Sequence, residues 1–204
     1  MTEAIFSLIG VVIGSIISWL QSYWTNKRAH DKNARYLAIR LVCVFDKFLE
    51  DCAEVVRDNG LSLGQRTAEG YLEPQVESPG PPIYPDDLDW KSIDHELMYK
   101  ILSFPADVES AEGIIRAAQD IAGPPDFEEW FDERAFHYGK FGLAAFALAE
   151  ELAKKYGIRK KTYNNWDPVI ELKKALSSIE ARRQKRKELH MQLLNKVFGE
   201  QKPN

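Results

Sequence analysis

Between Glu3 and Lys27 the chain carries no charged side chain. As a helix rising about 1.5 Å per residue, Ala4–Asn26 is about 34 Å long, enough to cross a hydrocarbon core of about 30 Å. Ten large apolar residues between Ile5 and Leu20 each favour insertion by about 0.3–0.6 kcal/mol, roughly 4–5 kcal/mol together. Trp19, Tyr23 and Trp24 gather at one end, as an interfacial aromatic belt does. The stretch reads as a transmembrane anchor over residues 1–26, with Ile5, Gly10, Gly14, Ser18, Trp19 and Trp24 in the span. A buried core helix is the competing reading, but core helices of small chains seldom lack a polar face for so long.

The flanks predict an orientation. Only Glu3 precedes the span, whereas Lys27, Arg28, Lys32, Arg35 and Arg40 follow it against the single acid Asp31. The positive-inside rule places the N-terminus outside and the remaining chain in the cytoplasm. Cys43 and Cys52, too far apart along one helix to bridge within it, suit a reducing compartment. No basic n-region precedes the apolar run, which argues against a cleaved signal. Gly10, Gly14 and Ser18 recur every four residues on one helix face, a spacing that lets two backbones approach and makes homo-oligomerisation a candidate property.

The rest of the 204-residue chain is long enough for one ordinary domain. Residues 27–58 predict a juxtamembrane helix joining a bundle, with Leu41, Phe45, Phe48, Cys52 and Val55 as its core stripe. Asn59-Gly60 is a stop signal, because both residues tolerate the left-handed conformation at a helix end. Residues 59–91 are rich in proline and glycine, so they predict a long loop, an ordered strap over the bundle or a polyproline segment. Residues 92–199 predict the helical domain. One helix covers about Ser92–Ser103, a second starts at Pro105, a third is capped by Asp126 with Glu129 in capping-box spacing, and a last one opens on Asp167-Pro168. Residues 200–204 form a tail. The fold class is all-α: a single N-terminal transmembrane helix continuing into a cytosolic bundle of four to five helices.

The net charge of −4 is mild, but its distribution is uneven. Acids dominate Asp86–Glu133, and Arg182, Arg183, Lys185, Arg186 and Lys187 form a basic run within the last helix. That run breaks the apolar seam Val169, Leu172, Leu176 and Ile179, so it is solvated or meets acids. Its candidate partners are anionic lipid, an acidic protein, or the acidic half of the same domain in the same or a second copy. Nucleic acid ranks below these, because a chain already lying against a bilayer meets lipid first.

Catalytic signatures are sparse. Gly60-Leu61-Ser62-Leu63-Gly64 matches the nucleophile elbow, but the elbow needs a strand before it and a helix after it, and neither is predicted. None of the four histidines follows an acid by three residues, so the di-metal Glu-x-x-His pattern is missing. Glu133 and His137, four apart, predict a salt-bridge pair. The sequence predicts no metal and no cofactor. The leading expectation is a non-enzymatic interaction or scaffolding module on a membrane. The alternatives are a tethered enzyme around His95, Glu133 and His137, and a binder of anionic lipid or nucleic acid through the basic helix.

Overall fold

The computed structural model describes residues 2–199, with the side chains of 2–13, 195 and 197–199 outside that description. Four helices follow one another: α1 (Thr2–Arg57), α2 (His95–Ile121), α3 (Glu128–Tyr156) and α4 (Pro168–Gly199). A short 3-10 turn, Trp90–Ser92, precedes α2. Among the described residues there is no strand, only an isolated bridge between Ser62 and Gln65.

α1 is one uninterrupted helix of 56 residues. Residues 14–33 are exposed throughout, and the first core residue is Ala34. Beyond it the predicted stripe of Leu41, Phe45, Phe48, Cys52 and Val55 is buried. α1 thus has an exposed stretch, residues 14–33, followed by a packed half. Among the described residues no helix is long and apolar enough to cross a membrane. Ile5 and Gly10 of the expected span lie outside the described side chains. The expected transmembrane span is therefore not shown among the described residues.

Contacts along α1 fix the chain directions. Asp58, just past its end, meets Arg134 near the start of α3, and Arg35 donates to the Gly157 carbonyl at the other end of α3. α3 therefore runs antiparallel to α1. Lys100 reaches Glu151 and Leu172 packs on Gly142, so α2 and α4 also run against α3, which is the central helix. The long loop behaves as a strap. It leaves α1 at Asp58 and runs back along the helix, where Asp87 pairs with Arg40 at 2.6 Å and Asp89 accepts from Asn33 at 3.3 Å. We call the Asp58 end distal and the Asn33 end proximal, relative to the apolar segment.

Close approach at the core needs Gly142. A Cβ there would stand 2.5 Å from Leu172 Cδ1 and 2.9 Å from the Cys52 Cβ, so α1, α3 and α4 meet only because this position has no side chain.

Two helix predictions need correction. The break expected before Pro105 does not occur, and α2 is continuous through it. A proline inside a helix leaves the carbonyl four residues back without its N–H donor. Here that carbonyl belongs to Ile101, and the Tyr84 hydroxyl from the strap donates to it at 2.7 Å. The expected cap on α3 also differs. Its N-cap is Phe127, in the left-handed region at φ 48°, with no side-chain cap bond. Asp126 is instead drawn to Arg66 of the strap at 2.6 Å, and Phe127 packs edge-on against Tyr71. The Asp167-Pro168 start holds: the Asp167 carboxylate accepts from the Val169 N–H at 2.8 Å.

Candidate functional site

Among the described residues the buried charged side chains gather at the distal end. Arg134 lies three residues after Phe131 and four before Tyr138, so helical periodicity turns it into the core. Its side chain is 3% exposed and that of Asp58 is 1% exposed, and the two meet at 3.0 Å. Arg134 also donates to Ser78 Oγ at 2.9 Å and to the Val76 carbonyl. Asp58 accepts from the backbone N–H groups of Gly60, Gln75 and Val76 at 2.9, 2.9 and 3.1 Å. Burial works against the ionised carboxylate, but the Gly60 N–H, Arg134 and the Val76 N–H outweigh it, and its pKa lies below the ordinary value. Gly60, at φ 74°, makes the turn; a Cβ there would meet Phe131 at 2.6 Å. One turn of α3 further on, the Tyr138 hydroxyl donates to the Pro79 carbonyl at 3.1 Å, and burial with Glu112 nearby pushes it up to about 12.

The basic run of α4 faces the first turns of α3. Arg182 donates to Asp132 Oδ1 at 2.6 Å, and Arg186 bonds the other oxygen of the same carboxylate. Arg183 stands 2.9 Å from Glu133 and stacks on the Phe136 ring at 3.9 Å. The acidic half of the same chain is therefore the partner of three residues in the run. Lys185 and Lys187 form no ion pair among the described residues. A cleft of about 510 Å³ opens beside this lock, and its lining includes Arg57, Arg66, Asp126, Phe131 and Arg182.

The residues considered for catalysis do not converge. His137 pairs with Glu133 at 3.4 Å, as the spacing predicts, near the distal end. His95 opens α2 at the proximal end. Ser62 sits in a tight turn, exchanging backbone hydrogen bonds with Gln65 at 2.9 Å, with no strand before it and no helix after it. Among the described residues no three His, Cys, Asp or Glu side chains gather around a common point that could hold a metal ion.

A second cleft, of about 630 Å³, opens at the proximal end between α1, the strap and the α2–α3 contact. Its lining includes His30, Arg35, Lys91, His95, Lys155 and Tyr156. The sequence reading missed it, because these residues come from three separate stretches. It missed the Asp58–Arg134 pair too, although an arginine in phase with Phe131 and Tyr138 was a visible signal. Compared with family models, with curated proteins and with solved structures, the chain finds no match.

Proposed function

We propose that the chain is a single-pass membrane protein whose helical bundle is a non-enzymatic interaction or scaffolding module held close to the bilayer. The observation that carries this is α1. One unbroken helix presents Ile16, Ile17, Trp19, Leu20, Tyr23 and Trp24 to its surroundings and then supplies the longest side of the bundle core. Fully burying one such aliphatic side chain is worth about 1.5–3 kcal/mol, so an uncovered helix of this composition calls for an apolar cover. The charge-free run upstream, Ala4–Ser15, makes a bilayer the natural one. A helix without a break also transmits position, so the bundle would ride at a fixed height.

The basic flank Lys27, Arg28, Lys32 and Arg35 favours a cytoplasmic bundle. Gly14 has open space where a Cβ would stand, which suits self-association through Gly10, Gly14 and Ser18; Gly10 lies outside the described side chains. The surface offered to an acidic protein partner is the free end of α4, where Lys185 and Lys187 adjoin exposed Leu189, Met191 and Leu193.

Alkaline carbonate extraction tests the anchor, which is expected to leave the chain in the membrane pellet; full release would overturn it. Cys43 tests the side, because it is exposed whereas Cys52 is buried. A membrane-impermeant thiol reagent should label Cys43 only after lysis. Labelling in intact cells would place the bundle outside.

A further inference from the structure

We infer that the proximal cleft is a binding site for a phosphate-bearing lipid headgroup. It rests on the anchored reading for the source of its ligand, but not for its chemistry. Three elements bring cations to one concavity: Arg35 from α1, Lys91 from the 3-10 turn and Lys155 from the end of α3, with His30 and His95 on the rim. Two acids share the cleft. Asp94 is already engaged, accepting from the Leu97 N–H at 3.1 Å and pairing with Lys155 at 3.1 Å. Asp31 alone remains to oppose Arg35 and Lys91. Lys91, His30 and His95 form no hydrogen bond or ion pair among the described residues. Arg28 and Lys32 lie within a turn of His30 on the exposed face of α1.

Position selects the headgroup. His30 lies four residues past Asn26, about 6 Å along the helix. The polar zone flanking a hydrocarbon core is about 5–8 Å thick on each side. A cleft opening there faces the phosphates of the adjoining leaflet. The other basic cluster of the chain does not. Arg182–Lys187 lies beside the end of α1, about 45 Å along the helix from Asn26, and three of its five cations are bound to α3 acids. Anionic lipid therefore fits the proximal cleft better than the basic run that is more conspicuous in the sequence.

The test uses the full chain purified in non-ionic detergent doped with equal phosphatidylglycerol and phosphatidylcholine, with retained lipid counted by native mass spectrometry. The wild type should retain phosphatidylglycerol selectively. Lys91→Ala should lower that retention about fivefold, the factor for about 1 kcal/mol per basic residue near a leaflet. His30→Ala should lower it too. Both side chains lack partners, so both variants should fold, with unchanged circular dichroism. Lys187→Ala should retain lipid as the wild type does. Equal retention by all four proteins overturns the site. Inorganic phosphate serves as the second probe. If it displaces the lipid and binds alone with the same Lys91 dependence, the cleft takes free phosphate and the lipid assignment is overturned. Release of the chain by carbonate while Lys91-dependent phosphate binding persists would sink the anchor but not the anion chemistry. A membrane-held chain whose lipid retention ignores Lys91 would sink the cleft and leave the anchor standing.

Discussion

The two ends of the bundle handle charge in opposite ways. At the distal end, Asp58 and Arg134 are buried against each other, and Asp132 is shared by Arg182 and Arg186. At the proximal end, Lys91, His30 and His95 face a cleft with no partner among the described residues. A charge with a buried partner is part of the fold, because removing one member strands the other. A charge left open in a concavity adds little to stability and is free for a ligand. The contrast separates the polar groups that build the molecule from those that can serve it, and the conspicuous basic run falls largely in the first class.

The sharpest way to break this comparison is Asp58→Ala. It strands the Arg134 guanidinium and frees the Gln75 and Val76 N–H groups, so the strap loses its distal anchor. Loss of one member of a buried pair costs about 3–5 kcal/mol. Urea denaturation should show this as a lower midpoint, whereas Lys91→Ala should stay within about 0.5 kcal/mol of wild type. Similar costs for the two variants would erase the distinction between the ends.

Asp132→Ala comes next. The carboxylate is 6% exposed, but Arg182 and Arg186 are 45% and 37% exposed and can turn to water. The loss should be about 1–3 kcal/mol, below that of Asp58→Ala. Limited proteolysis would locate it: cleavage should begin within α4 beyond Ile179, while the packed half of α1 stays protected. Cleavage first in the strap would mean that the α3–α4 lock is not what Asp132 holds.

Much of the bundle is legible in the sequence alone. The α1 stripe, the Asp167-Pro168 start and the stop at Asn59-Gly60 each depend on neighbours within a turn or two, and local pattern is what a sequence displays. What escaped depends on the strap. Pro105 reads as a helix start until Tyr84, far away in sequence, supplies the missing donor to the Ile101 carbonyl. Asp126 reads as a cap until Arg66 draws it off. The interrupted seam at Arg183 and Arg186 left a solvated face and an acidic partner both open, and the α3 acids supply the second. The proximal cleft left no local trace, since its cations come from residues 30–35, 91–95 and 155–156.

The smallest effect expected is a pH dependence from His137, which stands between the paired and the open kinds of charge. Its ring is partly buried beside Phe136 and Phe141 and 3.4 Å from Glu133. Burial lowers its pKa from the ordinary 6.5, Glu133 opposes the shift, and Arg183 and Lys140 add to it. The folded state therefore binds this proton less readily than the unfolded chain does. Stability from this group is undiminished above about pH 6.5 and falls as the pH drops through that value toward the lowered one. Glu133 opposes burial less than a free carboxylate would, because it is also held 2.9 Å from Arg183. Thermal midpoints measured across this window should slope downward toward acid in the wild type, and His137→Gln should flatten the slope while keeping a polar group beside Glu133. A slope of the opposite sign would mean that the Glu133 pair outweighs burial, and His137 would then belong with the paired charges of the distal end.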